Sequence, residues 1–308
     1  MKVPVLFIIF NRLDIASKSF EAIKEYKPEQ LYIAADGPRQ ERLGEDILCE
    51  KTRKGILDMI DWECEVKTLF RETNAGVDMN VYSAINWMFE QENWGVIVED
   101  DCYVSTDFFT FCETVLPQYH EDEKIMHVIA NNPFARIDSG DSYSFISHPI
   151  SWGWATWAYK WHKYMDLSMT DQEKISVYEL SIDHGWLMAF LYKRYWRKNQ
   201  SEKTAFVKPW DTIWQYSVIR NKGLCILPDV NLAVNNGIGT SEGSHYNIGD
   251  SNYYEGLTLG HMRSPYKCRS DREITSEAEM DFNHYFLRLR MFGLKNRIKK
   301  LLRLGQYR

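Results

Sequence analysis

Val96-Ile97-Val98-Glu99-Asp100-Asp101-Cys102-Tyr103-Val104-Ser105-Thr106-Asp107-Phe108-Phe109 is the stretch on which the reading of this chain turns. Its first three residues are β-branched and apolar, which suits a buried strand. Three adjacent carboxylates follow where that strand ends. Packed together they repel one another, so a divalent cation or another positive partner is needed to balance them. Open α/β sheets bind ligands just beyond the carboxyl ends of their strands. The triplet therefore predicts a metal holding a polyphosphate.

Upstream of it, strand-like and helix-like stretches alternate, the pattern of a mainly parallel sheet with helices on its faces. Strands are expected at 3–10, 31–35, 65–70 and 96–98, with helices at 14–26, 47–60 and 77–89 between them. Asp36-Gly37-Pro38 marks a turn, and Asn74-Ala75-Gly76 a loop. That loop either offers backbone N–H groups to a phosphate or is a plain helix start. Downstream the pattern loosens. A helix is expected at 107–119, a strand at 125–130 and helices at 176–198 and 211–221, whereas 142–150 reads as polar and irregular. Trp154, Trp157 and Trp161 fall at the spacing of one helical face, and Asn235 to Tyr246 carries three glycines and reads as a mobile loop.

The 308 residues suffice for a large core, with no internal repeat or low-complexity linker. We divide the chain into a first half at 1–130, a second half of the same domain at 131–265 and a helical extension at 266–308. Net charge of −6 argues against nucleic acid as a partner. The 11 Trp, 18 Tyr and 15 Phe are more than an ordinary chain carries, and either line a cleft for sugars or bases or fill a large core. Six scattered cysteines without a C-x-x-C pair, and no apolar run of membrane-spanning length, predict a cytoplasmic protein. Residues 288–308 carry eight Lys or Arg and no acid, with Met291, Leu294, Ile298, Leu301 and Leu302 on one face of an expected helix. Such a segment either lies on an anionic membrane or packs on the body with a solvated basic face.

Residues 98–109 resemble the E-D-D-x-x-x-x-x-D-F-F segment of N-acetylglucosaminyltransferase I and related GT-A nucleotide-sugar glycosyltransferases. Ile9-Phe10-Asn11-Arg12 resembles that family's first-strand segment, Ala35-Asp36-Gly37 the acidic end of its second strand, and Gly239 to His245 its late glycine-rich loop. Trp152-Gly153-Trp154 resembles the segment lining the acceptor side, and the run W-G-W-A-T-W is closer still to bacterial sugar transferases. The resemblance spans roughly residues 3 to 246. It implies a GT-A, Rossmann-like α/β fold and metal-dependent transfer, through Mn²⁺ or Mg²⁺, from a nucleotide-sugar donor. The acceptor would be a glycan or a lipid-linked sugar in surface-polysaccharide synthesis.

Residue by residue, the resemblance gives Asp101 direct contact with the metal. It gives Glu99 and Asp100 the ribose or metal-bound water, and places Arg12 and Asp36 near the base and phosphates. Asp211 resembles the acid of the family's W-D-D segment, with Thr212 in place of the second acid. It is expected to be the general base of an inverting transfer, desolvated by Trp210 and Trp214, or else to cap the following helix. Sugars pack their C–H faces on indoles, so Trp152 or Trp154 is the expected acceptor platform, with Gly153 allowing a close approach or unusual φ. His245 is expected to reach the metal or a phosphate when its loop closes, or to be merely exposed. Two other readings compete: a sugar nucleotidylyltransferase, disfavoured because 10–14 lack a glycine-rich loop, and a non-catalytic binding module on the same scaffold.

Overall fold

The computed structural model describes residues 1–135, 139–166, 175–200, 209–236, 257–269 and 273–287. Its first half follows the alternation in the sequence. Strands β1 (Val5–Ile9), β2 (Gln30–Ala35), β3 (Glu65–Phe70) and β4 (Trp94–Glu99) are joined by helices α1 (Leu13–Tyr26), α2 (Glu45–Asp58) and α3 (Val77–Phe89). Pairings β3–β2, β2–β1 and β1–β4 are all parallel. A short strand β5 (Cys102–Val104) and helix α4 (Thr106–Gln118) follow the acid triplet, with Ser105 as N-cap accepting from the Asp107 N–H.

The second half completes the sheet. β6 (Ile125–Ile129), β7 (Ser139–Ile146), β8 (Trp154–Trp157), β9 (Leu224–Pro228) and β11 (His261–Cys268) extend it to nine strands in the order β11-β7-β9-β6-β8-β4-β1-β2-β3. β10 (Ala233–Asn235) pairs with β5 as a separate two-stranded ribbon. β8 runs antiparallel to both β4 and β6, and so bridges the parallel half to the rest. The helices of this half are α5 (Ala158–Tyr164), α6 (Val177–Gln200), α7 (Trp210–Arg220) and α8, over 276–287. The fold is therefore a mixed α/β body with a mostly parallel central sheet flanked by helices. Residues 288–308, where the basic amphipathic stretch was expected, lie outside the described residues.

Both faces of the sheet are covered. One core gathers Phe7, Phe20, Phe108, Phe111, Val128 and Trp157; the other gathers Ile85, Trp154, Trp161, Tyr192, Trp214 and Phe282. Burial on two faces explains why the central strands read as continuous apolar runs rather than alternating ones. Two expectations are corrected here. Residues 139–146 form a strand, because Tyr143 and Phe145 enter one core while Ile146 enters the other, leaving the serines between them on a covered sheet. Trp154 and Trp157 do not share a helical face: they sit in a strand, whose period of two sends them to opposite cores, and the helix begins only at Ala158.

Candidate active site

β1, β2 and β4 all end at one edge, and the polar residues following them meet there. Arg12, leading into α1, aims its guanidinium at the triplet: Nη2 lies 2.5 Å from Asp100 Oδ1 and 3.5 Å from Asp101 Oδ2. Asp101 Oδ1 accepts from Asn235 Nδ2 at 3.3 Å, and its carbonyl accepts from the Asn236 N–H at 2.6 Å, so the β5–β10 ribbon holds the triplet from the other side. The charges remain unbalanced. Burial, then the repulsion of Asp101, Asp100 and Asp211, holds the Glu99 carboxyl well above the usual range. Burial also pushes Asp100 up to about 6, against the pull of Arg12.

Asp36 is buried and heavily bonded. Its Oδ1 accepts from the Gly37 and Ala75 N–H groups at 2.9 and 2.8 Å, and its Oδ2 from Asn74 Nδ2 and the Gly76 N–H at 3.0 and 3.1 Å. The turn after β2 thus clamps the loop before α3, and two backbone N–H groups of that loop are turned inward to a carboxylate. A Cβ on Gly37 would sit 2.4 Å from the Thr73 backbone, which explains a glycine at this close approach. Asp36→Ala should free Ala75 and Gly76, and their amide hydrogen exchange should rise by at least tenfold with little change elsewhere. Unchanged protection there would mean that the clamp contributes nothing.

Beside this edge lies a cleft of about 200 Å³, walled by Trp152, Tyr195, Phe282 and Tyr285, with Asn131, Asp211 and Gln215 among its polar lining. Asp211 stands exposed in the first turn of α7, its Oδ1 accepting from the Thr212 N–H at 2.6 Å. The flanking Trp210 and Trp214 are buried beneath it, so the desolvation expected from those two rings does not arise. The α7 start is also tied to α3, the Trp210 N–H donating to Asp78 Oδ1 at 3.0 Å. Since its charge acts on Glu99, Asp211 links the cleft to the triplet.

Trp152 is half-buried on the cleft wall. Trp154 is fully buried, stacked at 4.9 Å on His127 and at 5.6 Å on Trp210, and so offers no face to a sugar. That corrects its expected part in the acceptor platform. Gly153 has φ +66, and a Cβ there would meet Val104 Cγ2 at 2.4 Å, so both reasons given for a glycine hold. Burial drops the His127 pKa to about 3, leaving a neutral ring that accepts from Trp214 Nε1 (3.1 Å) and faces the Ile150 carbonyl (3.0 Å). This places the proton on Nε2 and fixes the segment that floors the cleft. His245 lies outside the described residues.

The sequence reading missed Asn235, Tyr195 and the α8 aromatics. Asn235 and Tyr195 carry no local signal, because long-range pairing and helix packing bring them in. The spacing of Phe282 and Phe286 was readable as a helix face. Among the described residues no three His, Cys, Asp or Glu side chains form a closed metal cluster. A cation bridging two phosphates, however, needs only one or two carboxylates from the protein. Asp100 Oδ2 is buried without a hydrogen-bond partner among the described residues, an acceptor suited to a cation, and Asp101 adjoins it.

No protein-family model and no curated protein sequence matches this chain. Solved structures are matched at low identity. A cytidylyltransferase from Leptospira borgpetersenii is 12% identical over 57% of this chain and 65% of that one, with a TM-score of 0.34. The 4-diphosphocytidyl-2C-methyl-D-erythritol synthase from Anaerococcus prevotii is 14% identical over 41% and 54%, with a TM-score of 0.28. The apo-form glycosyltransferase GlyE from Streptococcus pneumoniae is 12% identical over 96% and 64%, with a TM-score of 0.36. Each is matched over less than two thirds of its own length, and what this chain does is argued from its own residues.

Proposed function

We propose that this chain is a glycosyltransferase that moves a sugar from a nucleoside diphosphate, of the UDP class, to a glycan or lipid-linked acceptor in surface-polysaccharide synthesis. The observation that carries this reading is the meeting of an excess-negative triplet at the strand ends with an aromatic, polar-lined cleft through Asp211. Asp100 and Asp101 would hold a Mn²⁺ or Mg²⁺, which supplies positive charge to the diphosphate. Glu99 would take the ribose hydroxyls, and Arg12, already poised on the triplet, would turn to the phosphates. In the cleft, the acceptor sugar would rest against Trp152. Asp211 would take the proton of its hydroxyl as that oxygen attacks the anomeric carbon. The bond from that carbon to the diphosphate oxygen breaks, and the nucleoside diphosphate departs with the electron pair.

The test is thermal unfolding with UDP, GDP or CDP, each with and without Mn²⁺. A ligand at a hundred times its dissociation constant stabilises the folded state by about 2.7 kcal/mol. We expect a rise in Tm with UDP that needs the metal and disappears in Asp101→Ala. No shift with any nucleotide–metal pair sinks the transferase reading and leaves a glycan-binding module on this scaffold.

A further inference from the structure

Behind the cleft wall lies a buried polar cluster that the proposed chemistry does not use. Glu279 of α8 turns its carboxylate into the body and is buried there. Its Oε2 accepts from the Ser147 N–H at 2.9 Å, and its Oε1 accepts from the Ser147 hydroxyl. His148 Nδ1 stands 2.8 Å from that hydroxyl oxygen and 3.5 Å from Oε1; His184 Nδ1, on α6, is 3.8 Å from Oε1. An ionised carboxylate only accepts, so the Ser147 O–H points to Glu279. The Ser147 oxygen then takes the His148 Nδ1–H, and His148 Nε2 is left to accept from the Tyr192 O–H. Donation thus runs one way, from Tyr192 through a neutral His148 and Ser147 to Glu279. The three elements meeting here all continue into the cleft. Ser147 and His148 lead directly into Pro149 to Trp152, α6 brings Tyr195, and α8 brings Phe282, Tyr285 and Phe286. The His148 ring lies flat on Phe282 at 4.0 Å.

We propose that this cluster is a pH-sensitive latch, seating the α8 wall of the cleft near neutral pH and releasing it in acid. A buried carboxylate is costly unless donors or a positive charge balance it. Among the described residues Glu279 has no Lys or Arg partner, and its ion pairs are with the two histidines. The other titratable groups facing it are Tyr192 of α6 and Cys225 of β9, both buried and both held neutral by that burial. Burial raises the Glu279 carboxyl, but His148, His184 and Ser147 together hold it well below the usual range. It therefore stays ionised in mild acid and is not the group that trips the latch. Burial also holds His148 below its ordinary value, against the pull of Glu279. Such a histidine gains its proton when α8 lifts, Phe282 leaves the ring and water enters, so acid favours release. The opening constant of α8 should rise about tenfold per pH unit below about 6.5, until the closed state itself takes up the proton. The consequence for acceptor binding rests on the transferase reading; the latch does not.

The experiment is amide hydrogen exchange of the full chain between about pH 7.5 and 5.5, corrected for the chemical exchange rate, with α8 read against α1. Protection of α8 should fall about tenfold across that range, and α1 should not follow it. His148→Gln keeps a donor and has no proton to gain, so its α8 should exchange alike at both ends of the range. Glu279→Gln should expose α8 already at neutral pH, because an amide has one acceptor oxygen for the two Ser147 donors. Protection that is flat across the range in the parent overturns the proposal. So does a fall that persists in His148→Gln, which would assign it to another group, and so does Glu279→Gln with the parent's protection at neutral pH. These measurements use no nucleotide, so they stand or fall apart from the UDP and Mn²⁺ shifts that test the transferase reading.

Discussion

Trp154→Ala should cost about 3–5 kcal/mol of folding stability, the range for truncating a large aromatic in a packed core. The ring is fully buried between His127 and Trp210, with Trp161 and Trp214 at 6.0 and 6.2 Å, so four neighbours lose contacts together. Urea unfolding would show the loss as a lower midpoint at unchanged slope. Trp154→Phe keeps a ring and removes an indole N–H that lacks a partner among the described residues, so its cost should be well under half of the alanine value. Trp152→Ala should behave in the opposite way, with a smaller loss of stability and a larger loss of binding in the cleft. Equal destabilisation by Trp152→Ala and Trp154→Ala would remove the distinction between core and wall.

Removing Arg12 should be as damaging. Breaking a buried ion pair from one side leaves a lone charge and costs about 3–5 kcal/mol. Arg12→Ala would strand Asp100 and leave Asp101 with Asn235 and the Cys102 thiol as its remaining side-chain donors. The pH dependence fixes the cause. Asp100 is raised to about 6 in the folded protein, so the stability linked to it is fully present below the unfolded value near about 4. That stability is lost as pH rises through about 6, and Arg12 limits the loss. The deficit of Arg12→Ala, read from urea midpoints, should therefore be largest above pH 6 and shrink toward pH 4. A deficit independent of pH would mean that Arg12 acts through packing rather than charge.

The two halves of the fold were not equally legible. β1 to β4 and the helices between them follow from local periodicity, although only the β1–β2 and β2–β3 pairings join strands linked by one helix, and β4 reaches back to β1. The outer strands follow from distant pairings. β11 is hydrogen-bonded to β7 across more than a hundred residues, and β9 reaches back to β6 across slightly fewer. No window of sequence holds that information, so residues 142–150 read as irregular. The site divides along the same line. Glu99-Asp100-Asp101 is contiguous and announces itself, and Asp211 stands where an acid before an apolar helix is expected. The pairing of Arg12 with Asp100, 88 positions apart, and the approach of Asn235 to Asp101 exist only once the sheet is built. The tryptophan stripe misled because residues three and seven apart mimic a helical face, whereas two neighbouring strands claim the backbone of Trp154 to Trp157.

That claim has a consequence for the newly made chain. β4 and β6 each need β8 as a neighbour, yet residues 154–157 emerge from synthesis after both. Until they arrive, the nascent protein exposes one edge of β4 and both edges of β6, whose other partner β9 is made later still, the kind of surface that recruits other chains. Closing the sheet means adding a four-residue strand to β4 and then β6 to that strand, with the two tryptophans of β8 entering opposite cores. Folding should therefore be governed by this step, and fragments ending before Trp154 should be collected by chaperones or aggregate.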